Sequence, residues 1–187
     1  MNRIFKIAVF ASGTGTTLQT LIDQQARHGY AVSLVIANRD CHALQRAEQA
    51  HIPTLLSKDW TEIDHALTDH HIQFIVLAGF LAIIPKWMCQ QWDKRIINIH
   101  PSLLPKHGGK GMYGIRVQEA VLAAGDKIAG CTVHYVSAEI DGGSIIAQAT
   151  VAVEENDTPE TLSLRVQAQE KLILPQVIEQ LATVNTL

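Results

Sequence analysis

IFKIAVFASGTGTTLQTLIDQQARHGYAVSLVIA, residues 4–37, holds the pattern that decides the fold. Residues 4–10 are an apolar run of strand length. Residues 17–27 carry Leu18, Leu21 and Ile22 at i, i+3, i+4 spacing, and residues 31–37 are a second apolar run. This reads as strand, helix, strand. The alternation continues with a helix at 42–50, a short strand at 53–56 after Pro53 and a helix at 61–70. A run at 73–78 is apolar enough for a central strand. A short helix from Pro85 to Trp92 and a strand at 95–99 follow. Strands alternating with helices imply right-handed crossovers and a parallel sheet.

The second half changes character. A helix at 114–124 precedes two extended runs, 128–137 and 144–153, separated by Asp141-Gly142-Gly143, a turn signal for an antiparallel hairpin. A long helix at 158–183 closes the chain. Asp157 and Glu160 fit a capping box with Pro159 in the first turn, and Pro175 is expected to kink the helix. The fold class expected is α/β: a Rossmann-like, mainly parallel sheet with helices on both faces and an antiparallel C-terminal strand extension.

Length and composition agree with one domain, residues 1–187. The chain is 47% apolar and 18% charged with a formal net charge of -3. That excludes disordered and collagen-like classes, and gives no broad basic surface for nucleic acid or acidic membranes. Cys41, Cys89 and Cys131 are scattered and odd in number, which argues against a disulfide framework or zinc knuckle. The apolar run 7–11 stops at Gly13, short of the ~7–15 apolar residues of a signal peptide. No stretch approaches the ~18 apolar residues of a membrane span. A cytoplasmic protein is expected, with monomer and homodimer both open.

The loop Ser12-Gly13-Thr14-Gly15-Thr16-Thr17 joins the first strand to its helix. Two glycines admit a ligand to the backbone, the helix N-terminus offers free N–H groups, and three threonines add hydroxyls. It is not a Walker A loop. It is also a poor dinucleotide fingerprint, since Leu18 takes the third glycine position and Asn38 and Arg39 stand where an acid would end the second strand. Two readings stand: a phosphate cradle, or a plain strand-to-helix turn.

Asn98-Ile99-His100-Pro101 lies at the end of a predicted buried strand, where ligands bind in doubly wound sheets. Asn98 and His100, two apart, share one side of an extended chain. An amide donor beside a protonated imidazole suits an oxyanion on a tetrahedral carbon. Asp141 is the carboxylate placed to raise the pKa of His100. The structural alternative makes His100 a strand-end residue and Asp141 a turn former.

Taken in order, 10–17, VLAGF at 76–80, NIHPSLLPK at 98–106, Asp141-Gly142-Gly143 and RVQAQE at 165–170 resemble the folate-dependent formyltransferases. Within that family the glycine loop and RVQAQE point to the phosphoribosylglycinamide formyltransferase (glycinamide ribonucleotide transformylase) branch. The resemblance covers nearly the whole chain. It implies formyl transfer from 10-formyltetrahydrofolate, as co-substrate, to the amine of 5'-phosphoribosylglycinamide in purine synthesis, with no metal. It also implies a nucleotide- and phosphate-binding half (1–100) and a folate-binding and catalytic half (101–187). Asn98, His100 and Asp141 match the catalytic residues. Gly13, Gly15, Thr16 and Thr17 match the phosphate loop, with Gln167 and Glu170 contacting the nucleotide. Phe80, Leu81, Ala82, Ile83, Ile84, Asn98, Ile140, Asp141 and Gly142 match the folate pocket. Alternatives are a sugar-nucleotide formyltransferase, a formyltetrahydrofolate hydrolase, or a non-catalytic nucleotide- or folate-binding module.

Other residues read more plainly. His65, His70 and His71 suit a solvated helix end better than a metal site. His134 reads as a core histidine, with support of His100 as the other reading. Trp60, Trp87 and Trp92 fit hydrophobic faces. Residues 107–114 (HGGKGMYG) are a lid or a flexible connection, and Lys110 a solvated lysine or a contact for the folate's glutamate tail.

Overall fold

The computed structural model describes residues 4–185. The chain runs β1 (Phe5–Ala11), α1 (Thr16–His28), β2 (Tyr30–Ala37), α2 (His42–Gln49), β3 (Thr54–Leu56), α3 (Trp60–Asp69) and β4 (Phe74–Leu77). It continues with α4 (Lys86–Gln91), β5 (Ile96–His100), α5 (Ile115–Ala123), β6 (Ile128–Tyr135), β7 (Ile145–Ala152) and α6 (Pro159–Asn185). Every expected element is present, with boundaries within one or two residues. The strands form one sheet in the order β3-β2-β1-β4-β5-β6-β7. Pairing is parallel from β3 to β5 and antiparallel for β5–β6 and β6–β7.

Period-2 alternation in β1 builds two cores. Ile7, Val9 and Ala11 join Leu18 and Leu21 of α1 and Leu162, Val166 and Ile178 of α6 on one face. Ala8 and Phe10 join Ile63 and Leu67 of α3 and Met88 of α4 on the other. The chain leaves β1 toward β2 and β3 on one side and toward β4 and β5 on the other. The order therefore reverses between β1 and β4, which opens a crevice at their carboxyl ends. Ser12, buried at that point, stitches the two loops together. Its N–H donates to Gly79 O (3.1 Å), its hydroxyl donates to Asn38 Oδ1 (2.8 Å) and accepts from Leu81 N–H (3.0 Å). Arg39 Nε donates to Ser12 O.

Two local expectations are corrected, the cap of α6 and the packing of Trp87. The helix α6 is not capped by an Asp157–Glu160 box. Pro159, with φ preset for the helix and no N–H to lose, takes the first helical position, so the cap falls on Thr158. Thr158 N–H donates to Thr161 Oγ1 and Thr161 N–H to Thr158 Oγ1. Asp157 instead receives the guanidinium of Arg165, which also donates to Ala152 O (3.1 Å) and so ties the end of β7 to α6. The helix is continuous through Pro175. Trp87 is largely exposed rather than packed on a face. The expected antiparallel β6–β7 hairpin is present, joined by the loop 136–144 and closed by Tyr135 N–H donating to Ser144 O (2.9 Å).

Gly143 sits against the base of that hairpin, and a Cβ there would lie 1.7 Å from Tyr135 O. The Tyr135 carbonyl belongs to the backbone, so relief requires moving the hairpin. Gly143→Ala is expected to cost about 1–3 kcal/mol, as overpacking does. In thermal unfolding that appears as a midpoint lowered by at least ~2–4 °C. An unchanged midpoint contradicts the packing described.

Candidate active site

The crevice between β1 and β4 widens into a cavity of about 680 Å³. Its walls are the loops after β1 and β4, the end of β5, residues 109–115, the β6–β7 loop and one face of α6. Gly13, Gly15, Thr16, Thr17, Phe80–Ile84, Asn98, His100, Ile140, Asp141, Gln167 and Glu170 all line it. Of the candidate residues only Gly142 does not. Its N–H turns back to Glu139 O (3.2 Å), and its role is to let the loop fold against Glu139.

At one end, α1 starts on Gly15, whose φ of 71° is left-handed and whose missing Cβ would meet Ala43 Cα at 2.7 Å. Glycine is required there for both reasons. No side chain caps α1, so the first N–H groups of the helix face the cavity mouth unpaired by any cap. Arg46 Nε donates to Thr14 O (2.8 Å) and Ala43 N–H to Gly13 O (3.2 Å), which brace the loop from behind. Free amides, a helix N-terminus and the hydroxyls of Thr16 and Thr17 together suit a phosphate.

In the middle, β5 and β6 set Asn98 opposite His134 and His100 opposite Thr132. The ring of His134 is buried, and burial pushes its pKa below the usual imidazole value. A carbonyl can only accept, so its Nδ1 carries the proton donated to Tyr135 O (2.9 Å). Nε2 is then a lone pair and accepts from Asn98 Nδ2 at 3.1 Å. This fixes the amide orientation of Asn98 and leaves its second N–H for a ligand. His100 follows the same logic. Its Nε2–H donates to His107 O (3.0 Å), so Nδ1 faces Asp141 Oδ2 at 3.6 Å. Asp141, in a left-handed conformation (φ 54°), also approaches His134 Nε2 at 3.7 Å and accepts from Gly109 N–H at 2.8 Å. Two imidazoles and one amide thus converge on one carboxylate.

The opposite wall is apolar. Phe80 packs edge-on against Phe10 (5.2 Å between centroids) and Trp60 (6.2 Å), which holds the 80–84 segment in place. Leu81 and Ile83 line the cavity with exposures of 48% and 68%. On α6, Gln167 donates to Ser163 Oγ (3.0 Å). Glu170 is buried and makes no hydrogen bond or ion pair among the described residues. Burial pushes its carboxyl up to about 7. A buried acid without a partner, aimed at a cavity, suits a ligand with hydroxyl or amine donors.

Sequence reasoning undervalued His134. Its alternation within β6 was visible, but the register that puts it opposite Asn98 was not. The glycine-rich stretch 109–114 also lines the cavity, Lys110 included, and Gly109 contributes the amide that holds Asp141. Arg165, part of the RVQAQE stretch, serves the Asp157 clamp instead. Among the described residues no group of three or more His, Cys, Asp or Glu is arranged to hold a metal ion, and no helix is long and apolar enough to cross a membrane.

Residues 5–178 match the protein family described as Formyl transferase. Phosphoribosylglycinamide formyltransferase of Haemophilus influenzae is 40% identical over 93% of this chain and 85% of that protein. The chloroplastic phosphoribosylglycinamide formyltransferase of Arabidopsis thaliana is 38% identical over 92% of this chain and 64% of that protein. The chain thus spans less than two thirds of the plant protein. The crystal structure of phosphoribosylglycinamide formyltransferase from Anaplasma phagocytophilum superposes with a TM-score of 0.90 at 37% identity. It covers 97% of this chain and 88% of that one.

The raised value of Glu170 carries a stability consequence. The fold favours its protonated form, so its contribution is complete below the usual value of 4.5 and is lost as pH rises through about 7. Without ligand the protein should therefore lose stability between about pH 4.5 and pH 7 and level off above that, and Glu170→Gln should flatten that slope. Equal slopes for the two proteins in denaturant unfolding would contradict the burial of an ionisable acid.

Proposed function

The chain belongs to the formyl transferase family, and from that membership and the geometry of its cavity we propose a specific reaction. The protein transfers the formyl group of 10-formyltetrahydrofolate to the amine of 5'-phosphoribosylglycinamide, the step its relatives are named for, in purine synthesis. The observation that carries this reading is a single cavity with a phosphate cradle at one end and an apolar wall at the other. The Asn98, His100 and Asp141 cluster lies between them.

The chemistry follows from the hydrogen bonds already described. The phosphate of the acceptor sits on Gly13, Gly15, Thr16 and Thr17, and Gln167 and Glu170 meet the nucleotide's polar groups. The pterin of the folate lies along 80–84 and Ile140. The acceptor amine attacks the formyl carbon, a C–N bond forms, and the carbonyl electron pair moves onto oxygen. The free N–H of Asn98 and the Nδ1–H of a protonated His100 stabilise that oxyanion. The C–N10 bond then breaks, with N10 taking the proton from His100 Nδ1. The proton lost by the amine passes through a water held by Asp141. The Asp141 carboxylate lies 3.6 Å from His100 Nδ1, the nitrogen that gives up the transferred proton. Transfer is direct, with no covalent enzyme intermediate.

We also infer that the chain acts as one domain, as a monomer or homodimer. A cytoplasmic location is supported by Cys41, Cys89 and Cys131, all of which are free thiols.

The test is formyl transfer measured with and without the acceptor, beside His100→Ala. Acceptor-dependent turnover is expected, reduced about 10²–10⁴-fold in the variant. Near-normal turnover in the variant would sink the role of His100. Formate release without acceptor would identify a hydrolase instead.

A further inference from the structure

Behind the cavity, a short turn at residues 106–109 touches both members of the His100–Asp141 pair. The carbonyl of His107 accepts from His100 Nε2 at 3.0 Å, and the amide of Gly109 donates to Asp141 Oδ2 at 2.8 Å. The turn therefore decides two things at once. It fixes which ring nitrogen of His100 carries the resident proton, and it fixes where the carboxylate stands.

This turn is not held by secondary structure. His107 has a left-handed φ of 55°, unusual for a residue with a side chain. Two side chains hold it from outside the cavity. Ser102 Oγ donates to Lys106 O (2.7 Å) and lies 3.4 Å from His107 O. Asp126, just past α5, spends its two oxygens on consecutive residues of the turn. Oδ2 meets His107 Nε2 at 2.7 Å and Oδ1 pairs with Lys106 Nζ. The carboxylate and the imidazole of His107 are both mostly shielded, with side-chain exposures of 15% and 12%. Lys106 and His107 hold the Asp126 carboxyl below the usual carboxylate range, as expected for a group that stays charged in this clamp. None of the three side chains lines the catalytic cavity.

We propose that Asp126 is a positioning residue for formyl transfer. By clamping Lys106 and His107 from outside, it fixes the turn whose backbone holds His100 in its Nε2–H tautomer and Asp141 beside it. The inference rests on the formyl-transfer reading for its kinetic consequence, but its structural content is independent of the substrate. Loss of the clamp frees the His107 carbonyl, and the His100 ring is then free to exchange tautomer or rotate. Misplacement of this kind acts on the chemical step rather than on binding, because the phosphate cradle and the apolar wall lie on other loops.

The experiment compares wild type, Asp126→Ala and Asp126→Glu by imidazole ¹⁵N NMR of His100 and by steady-state kinetics. In Asp126→Ala the His100 spectrum should shift from a single Nε2–H form to a mixture. The value of kcat should fall on the order of 10²-fold, with KM for both substrates within about two-fold. Asp126→Glu, which keeps the charge, should recover most of both. If Asp126→Ala does not fold, His107→Phe removes the donor at similar volume and is read in the same way. An unchanged His100 spectrum in a folded variant overturns the proposal whatever the rate. An inactive wild type whose spectrum still responds to Asp126 would instead overturn the formyl-transfer reading and leave the positioning role standing.

Discussion

The register between β5 and β6 is the constraint on which the site depends. Directly opposite residues of an antiparallel pair point to the same face with Cβ atoms about 4.5–5.5 Å apart. Asn98 therefore meets His134, and His100 falls opposite Thr132. A slip of one residue would turn these side chains to the other face of the sheet. The buried hydroxyl of Thr132 locks the register to the chain leaving β5. It donates to Ser102 O (2.6 Å) and accepts from Leu104 N–H (3.0 Å) and Gln148 Nε2 (2.9 Å). One threonine thus binds β6, β7 and the segment that follows His100.

From that register the polar groups form a directed chain. The carbonyl of Tyr135 sets the His134 tautomer, and His134 sets the Asn98 amide. The carbonyl of His107 sets His100, and the amide of Gly109 sets Asp141. His134, His100 and Asp141 are oriented by backbone groups, and Asn98 by the buried, backbone-held ring of His134. Such preorganisation is what an oxyanion-stabilising site requires, because no reorientation is then needed as charge develops. Glu170 departs from this pattern. It is buried and unpartnered, a local cost that a ligand would relieve.

Much of this was legible in the sequence, and the limits have physical causes. Period-2 and period-3.6 patterns in residues 4–37 were enough to point to the parallel half, because both strands there are apolar runs whose residues are mostly buried. The glycine loop and the Asn98–His100 spacing located two parts of the cavity, since both sit at strand ends where short-range geometry dominates. The rest depends on pairing between distant segments. His134 looks like any alternating core residue until β5 is laid beside it. The Asp126 clamp joins residues some twenty positions apart across α5, and no local pattern announces it. Arg165 lies in a stretch whose neighbours line the cavity, yet it turns to Asp157, because helical spacing places it on the face toward the end of β7. The cap of α6 moved to Thr158 because Pro159 takes the first helical position.

The most direct test of this account is a crystal structure of the protein with 5'-phosphoribosylglycinamide and an unreactive 10-formyltetrahydrofolate analogue. The account predicts the phosphate on the amides of residues 13–17 and the pterin along 80–84. The formyl-equivalent carbon should lie within reach of Asn98 Nδ2 and His100 Nδ1. A phosphate bound elsewhere, or a reactive carbon remote from both groups, would contradict it.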